Sequence, residues 1–330
     1  MDTLGNGLKI IGTGAAIADQ TLTNQDLSCI VETSDEWIQS RTGMRQRYVC
    51  SPQESLTSLG VRAGQAALEM AGLKPQDLEL IILATSTPDD LFGSAAQIQA
   101  GLGANQAFAF DITAACSGFV VGLNTAAQFL RTGVYRRILL IGGDVLSRWV
   151  DWTDRTTCVL FGDGAGAVVL EAQGKDNLLA FEMYTDGTMN GCLNLAYQGF
   201  PQDLTESKTI AQGTYQPIAM NGREVYRFAV AKVPEIIEKV LFKAQLTPAD
   251  IDWLILHQAN QRIMDAVGDR LNIPKEKIIS NVSAYGNTSA ASIPLALNEA
   301  VQAGKFKSGD LVVLAGFGAG VTWAASALRW

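Results

Sequence analysis

Leu73-Lys74-Pro75-Gln76-Asp77-Leu78-Glu79-Leu80-Ile81-Ile82-Leu83 returns 173 residues later as Leu246-Thr247-Pro248-Ala249-Asp250-Ile251-Asp252-Trp253-Leu254-Ile255-Leu256. Each copy reads as a proline-bearing turn running into a short, continuous apolar strand. Two further pairs follow in the same order. Asp111-Ile112-Thr113-Ala114 matches Asn281-Val282-Ser283-Ala284 at an offset of 170, and Ile138-Leu139-Leu140-Ile141-Gly142-Gly143 matches Leu311-Val312-Val313-Leu314-Ala315-Gly316 at 173. Short apolar strands look alike, so one match decides nothing. Three in one order at nearly constant offset predict a duplicated chain, with one half over residues 1–174 and the other over 175–330. Helical patterns over 120–131 and 293–303 alternate with these strands. Strands apolar on both faces, with helices between them, predict an α/β fold of layered sheets covered by helices.

Composition supports a large buried core. Of 330 residues, 48% are hydrophobic and only 18% charged, which excludes a disordered chain. The net charge of −8 argues against nonspecific binding to nucleic acid or anionic membranes. Cysteines stand at 29, 50, 116, 158 and 192. Their odd number and the lack of a CxxC spacing point away from a disulfide framework or a metal site, and toward a reducing cytoplasm. Met1 to Gly12 lacks the pattern of a secretory leader. The apolar runs at 138–141 and 311–315 are too short to cross a membrane.

One histidine, His257, occurs in the whole chain. Chemistry that needs two imidazoles on one chain is thereby excluded. If His257 acts, its partners are of other types, and Cys116 and Asn287 are the best placed. Cys116 lies between a strand-like run at 107–112 and a helix-like run from Gly118. The positive end of that helix would lower the thiol's pKa and favour the nucleophilic thiolate. In a duplicated fold, Cys116 and Asn287 follow matching strands of the two halves and His257 ends another. All three can meet where the halves join.

Ala114-Ala115-Cys116-Ser117-Gly118, His257-Gln258-Ala259-Asn260 and Gly286-Asn287-Thr288-Ser289-Ala290-Ala291-Ser292 resemble the three signatures of the β-ketoacyl-acyl-carrier-protein synthase III family. Thr33-Ser34-Asp35-Glu36-Trp37-Ile38, Arg41-Thr42-Gly43, Phe161-Gly162-Asp163-Gly164-Ala165-Gly166 and Gly318-Ala319-Gly320-Val321-Thr322-Trp323 extend the resemblance along nearly the whole chain. It implies a thiolase-like five-layered αβαβα fold built from two duplicated halves. It also implies a decarboxylative Claisen condensation of an acyl-CoA primer, acetyl-CoA by default, with malonyl-acyl carrier protein, the step that initiates type II fatty-acid synthesis.

On this resemblance Cys116 is the nucleophile, and the backbone N–H groups of Cys116 and Ala319 form the oxyanion hole. His257, neutral and protonated on Nε2, joins Asn287 in donating to the thioester oxygen. Ala319 departs from the family's usual glycine, which a backbone donor survives if no positive φ is needed there. Trp37 and Arg155 would flank the CoA adenine, with Arg41 beside them, and Asn260 would touch the pantetheine arm. Arg223, Arg227 and Arg262 would dock the acidic carrier protein. Phe92 would close the acyl pocket of a second subunit, which implies a homodimer. No cofactor and no metal is implied, since CoA thioesters are substrates.

Other readings fit part of the pattern. Cysteine, histidine and asparagine in this order suit a papain-like hydrolase, although the Cys-Gly-Ser-Cys-Trp flank is absent. A ketoacyl synthase of specialised metabolism, or a non-catalytic acyl-binding protein, would keep most of these motifs. Thr33 to Glu36 has the spacing of a capping box. Gly162-Asp163-Gly164-Ala165-Gly166 lacks the spacing of a nucleotide loop and reads as a structural turn.

Overall fold

The computed structural model describes residues 7–330, so the first six residues of the N-terminal segment judged to be no leader lie outside the described residues. Ten strands make the two main sheets. The first holds β1 (Gly7–Ile17), β2 (Leu80–Ala84), β3 (Phe108–Ile112), β4 (Arg137–Asp144) and β5 (Gly164–Gln173) in the order β1-β5-β4-β2-β3. The second holds β6 (Leu178–Thr185), β7 (Trp253–Leu256), β8 (Ile278–Ile279), β9 (Leu311–Gly318) and β10 (Thr322–Arg329) in the order β6-β10-β9-β7-β8. Each strand of one sheet has its counterpart five places later in the other. The pairing matches as well. β2 runs parallel to β3 and β4 as β7 does to β8 and β9, and β5 and β10 are each antiparallel to their neighbours.

Six helices complete the layers: α1 (Leu56–Ala71), α2 (Ala95–Leu102), α3 (Gly118–Arg131), α4 (Gly222–Lys243), α5 (Gln261–Leu271) and α6 (Ser292–Gln302). α1 and α2 cover the outer face of the first sheet, and α4 and α5 that of the second. α3 and α6 lie between the sheets and touch both. This gives the order helix, sheet, helix, sheet, helix.

The strand sequences explain the layering. Along β2, Leu80 and Ile82 join the central core while Ile81 and Leu83 pack under α1 and α2. Along β7, Ile255 faces the centre while Leu254 and Leu256 face outward. A strand with two buried faces must be apolar at every position, which is why these runs do not alternate. Each fully buried Leu or Ile contributes about 1.5–3 kcal/mol.

Three local expectations shift. The helix Asp35–Thr42 is capped by Ser34, whose side chain accepts from the Trp37 N–H, so the cap falls one residue after Thr33. The match of Asp111–Ala114 with Asn281–Ala284 pairs the end of β3 with the short helix Val282–Tyr285, because β8 is only two residues long. The Gly162–Gly166 segment is not the turn expected of it: Gly162 and Asp163 lead straight into β5, which begins at Gly164, and the glycines serve close packing, a Cβ on Gly166 meeting Pro294 and Leu295 at 2.7–2.8 Å. Asp163 is buried there and accepts N–H bonds from Cys50 and Ser147.

Candidate active site

The site forms where the central helices begin. Ala115-Cys116-Ser117 makes a 3₁₀ turn directly before α3, and Ser289-Ala290-Ala291 makes the same turn before α6. Each turn opens on a residue other than glycine in the left-handed region, Ala115 at φ 47° and Ser289 at φ 52°. Such strain persists only where packing enforces it. The packing comes from β9. A Cβ added to Gly318 would lie 2.5 Å from the Cys116 nitrogen, and one on Gly316 would lie 3.0 Å from the Ser117 Cα. The second half of the fold is thus pressed against the turn that carries the cysteine.

A cavity of about 710 Å³ brings together Cys116, His257 and Asn287, with Phe161, Phe317 and Val321 among its apolar lining. Burial pushes the Cys116 thiol up to about 12, with the Asp144 carboxylate adding to the shift and a hydrogen bond from Ser289 opposing it. The helix-dipole expectation of a lowered pKa is therefore overturned. A helix end contributes on the order of 1 kcal/mol, and desolvation of a charged sulfur outweighs it.

His257 is 1% exposed, and burial lowers its pKa to about 3, so the ring is neutral. Its Nδ1 lies 2.7 Å from Ser292 Oγ. That oxygen already accepts the Gln258 N–H at 3.3 Å, and Nδ1 is the acceptor in reach of its own proton. The hydroxyl therefore donates to Nδ1 and the imidazole carries its proton on Nε2. Asn287 is oriented in a similar way. Its Oδ1 accepts the Ser289 N–H at 2.9 Å, which leaves Nδ2 as the free donor.

The other expected residues divide. Arg41, Asn260, Arg223, Arg227 and Arg262 all border the cavity. Asn260 caps α5 by accepting the Arg262 N–H at 2.8 Å and donates to the Arg41 carbonyl at 3.0 Å, so its amide is engaged within the wall. Arg155 lies on Trp37, with its guanidinium carbon 5.1 Å from the ring centroid. That contact leaves no room for a base between them, and neither residue lines the cavity. Phe92 is fully exposed and lies outside this chain's own cavity. Ala319 is not in the left-handed region, so the departure from glycine costs no backbone strain. Ser289, Ser292, Asp144 and Phe317 escaped the sequence reading as functional residues. The two serines after Asn287, at 289 and 292, were the one visible sign. Among the described residues no cluster of three or more His, Cys, Asp or Glu could hold a metal, and no helix is long and apolar enough to cross a membrane.

Two duplicated sheets around paired central helices, with a buried thiol and a neutral amide donor at the helix starts and a neutral imidazole at the end of β7, define a condensing enzyme of the thiolase fold. Residues 110–187 match the family model described as 3-Oxoacyl-[acyl-carrier-protein (ACP)] synthase III, and residues 241–330 match that of its C terminal part. A β-ketoacyl-[acyl-carrier-protein] synthase III of Synechocystis sp. is 82% identical over 330 residues, covering 100% of both chains. The crystal structure of 3-oxoacyl-[acyl-carrier-protein] synthase III from Aquifex aeolicus superposes with a TM-score of 0.90 at 45% identity, covering 98% of this chain and 100% of that one. The priming β-ketosynthase of the R1128 polyketide pathway also superposes at 0.90, with 32% identity over 98% of this chain and 96% of that one. The chain belongs to the β-ketoacyl-[acyl-carrier-protein] synthase III family. It is an acyltransferase, a condensing enzyme that initiates fatty-acid synthesis.

Proposed function

We propose that Cys116 takes an acyl group from acyl-CoA, with acetyl-CoA as the primer, and that malonyl-acyl carrier protein then condenses with it. The products are 3-ketoacyl-acyl carrier protein, CoA and carbon dioxide. The observation that carries this reading is the pair of neutral donors beside a buried thiol. Decarboxylation leaves an electron pair that spreads onto the thioester oxygen. Nε2–H of His257 and Nδ2–H of Asn287 stabilise that oxygen without delivering a proton to the carbanion. The carbanion attacks the acyl carbon, and Cys116 leaves. In both tetrahedral states the N–H groups of Cys116 and Ala319 receive the oxyanion, and the close packing of Gly318 on the Cys116 nitrogen supports that pairing.

The remaining roles follow the cavity outward. Arg41 and Asn260 border the pantetheine arm. Trp37 and Arg155 take the adenine once their mutual stack opens. Arg223 and Arg227 on α4 and Arg262 on α5 are exposed, and none pairs with a carboxylate among the described residues. They are free to meet an acidic carrier protein. Phe92, exposed and outside its own cavity, closes the acyl pocket of the partner in a cytoplasmic homodimer. Residues 1–174 supply the nucleophile and residues 175–330 the donors. No bound cofactor is needed, because each carbon reaches the site already activated as a thioester. Intact-protein mass spectrometry over a panel of acyl-CoAs tests the reading. Wild type gains one acyl mass and Cys116→Ala none. An acylated Cys116→Ala, or wild type that no donor acylates, overturns it.

A further inference from the structure

Arg47, on the short strand Gln46–Val49, is fully buried and takes no part in the steps derived above. Burial lowers its pKa to about 10, so the guanidinium is a cation at neutral pH. A buried cation is costly unless a carboxylate meets it. Among the described residues none does. Neutral oxygens hold it instead. Nη1 donates to Asn24 Oδ1 at 2.8 Å and to the Leu22 carbonyl at 3.2 Å, and Nη2 donates to the Val159 carbonyl at 2.7 Å. Nε has no partner. A charge kept at this cost calls for a reason beyond packing.

Val159 opens the segment that grips Asn287. The Leu160 carbonyl accepts the Asn287 N–H at 2.9 Å, Phe161 pairs with Asn287 in a parallel bridge, and the Gly162 N–H donates to the Asn287 carbonyl at 3.0 Å. Both backbone groups of Asn287 are thus held by residues that directly follow the carbonyl tied to Arg47. The arginine's stem sets the spacing as well. A Cβ added to Gly162 would lie 3.1 Å from the Arg47 Cβ, and one added to Gly286, the residue before Asn287, would lie 3.2 Å from it. Arg47 therefore touches the grip on both sides. Leu160, Phe161 and Asn287 line the cavity and Arg47 does not, so it stands behind the wall.

We propose that Arg47 is a positioning residue for the condensation step, fixing residues 159–162 and through them the Asn287 amide, a role that rests on Asn287 as a donor to the thioester oxygen. The forked head suits this task. One planar group reaches oxygens on two separate segments at once, which a lysine cannot do. The oxygen that Asn287 Nδ2 must meet gains its charge only as carbon dioxide leaves. A misplacement of about 1 Å at such a contact costs on the order of 100-fold. Acylation of Cys116 draws on the N–H groups of Cys116 and Ala319 instead, and no hydrogen bond joins Arg47 to either residue. Loss of the guanidinium therefore separates the two half-reactions.

The test compares Arg47→Met, which keeps the stem and removes the forked head, with Arg47→Lys, which keeps the charge and loses the fork. Each is also placed on Asn287→Ala. Acylation by acetyl-CoA is read by protein mass, and single-turnover carbon dioxide release is read on enzyme acylated beforehand. Arg47→Met lowers carbon dioxide release about 100-fold, and Arg47→Lys lowers it about tenfold, the effect of one hydrogen bond to a charged group. Both acylate within about threefold of wild type. On Asn287→Ala the same substitutions cost less than about twofold more, because the group they position is already gone. A merely structural arginine would slow both half-reactions and would act in full on Asn287→Ala. That result, or carbon dioxide release at the wild-type rate in a folded Arg47 variant, overturns the proposal. Loss of folding in Arg47→Met leaves Arg47→Lys to decide. Asn287→Ala that releases carbon dioxide at the wild-type rate sinks the role of Asn287 itself, whereas a slowed Asn287→Ala beside normal Arg47 variants sinks only the positioning role.

Discussion

Ser292→Ala isolates the histidine's role, because Ser292 touches His257 and no reacting atom. The hydroxyl holds two buried contacts, 2.7 Å to Nδ1 and 3.3 Å from the Gln258 N–H. Its removal strands both groups away from water, at about 1–3 kcal/mol for an unpaired buried polar group. More specifically, it removes the donor that keeps the proton on Nε2. The opposite tautomer turns a bare nitrogen toward the substrate and cannot stabilise an enolate. A bias of one or two kcal/mol corresponds to a factor of about 5–30. Condensation with the malonyl carrier therefore falls by about that factor. Acylation of Cys116 makes no use of the tautomer and stays within about twofold of wild type. The two steps are read apart, acylation by the mass of the protein and condensation by carbon dioxide release from the acylated enzyme. Thermal unfolding falls by about 2–4 °C, as expected for roughly 1 kcal/mol in a chain of this size. Equal losses in both steps, or an unchanged condensation rate, would refute the assignment of Ser292 and the tautomer with it.

Further outcomes follow from the geometry. With its pKa lowered to about 3 by burial, His257 stays neutral, so single-turnover condensation of acylated enzyme shows no acid limb near pH 6.5. In the unfolded chain the same imidazole binds a proton below about 6.5; stability from this residue is full above that value and is lost as pH falls toward 3, which urea midpoints at pH 7 and 5 will show in wild type and not in His257→Gln. Gly318→Ala drives a methyl to 2.5 Å from the Cys116 nitrogen; acylation drops about 100-fold, the upper end of the roughly 1–3 kcal/mol typical of overpacking, as mass spectrometry of the folded variant will record. Trp37→Ala raises KM for acyl-CoA about tenfold with kcat unchanged, since only a stacking contact is lost. Arg227→Glu and Arg262→Glu raise KM for the malonyl carrier protein and leave acyl-CoA untouched, an effect that weakens with added salt.

The fold was legible because it is written twice. Pro75 and Pro248 start turns that both close with an aspartate, Asp77 and Asp250, bonded back to the residue before the proline, and each turn feeds a strand buried on both faces. The helical patterns at 120–131 and 293–303 lie within one or two residues of α3 and α6. The nearest counterpart of Cys116 was hidden. The true structural match sets Ala115-Cys116-Ser117 against Ser289-Ala290-Ala291, which are identical at no matching position and agree only in a left-handed first residue. Backbone angles of this kind leave no trace in a glycine-free sequence. The thiol's environment was equally hidden, since Asp144 stands at the end of an ordinary apolar strand and only the folded chain brings it to the sulfur. Trp37 and Arg155 were expected on either side of an adenine, whereas here they stack on each other; one sequence does not say whether a pair stands open for a ligand or closed on itself.

The central layer has a consequence for hydrogen exchange. α3 and α6 are covered by a sheet on each side, and each sheet is covered again by helices. Amides along the bodies of α3 and α6 can then reach solvent only when the two sheets part, so they exchange at the rate of global opening. The hairpin beyond the cavity is different. The hairpin strands Tyr197–Thr205 and Lys208–Tyr215 are exposed along almost their whole length, and their amides exchange by local opening. The chain thus hangs its nucleophile on one of its slowest-breathing elements and keeps its fastest-breathing strands away from the cavity, so sequence drift in the hairpin leaves the reacting groups in register.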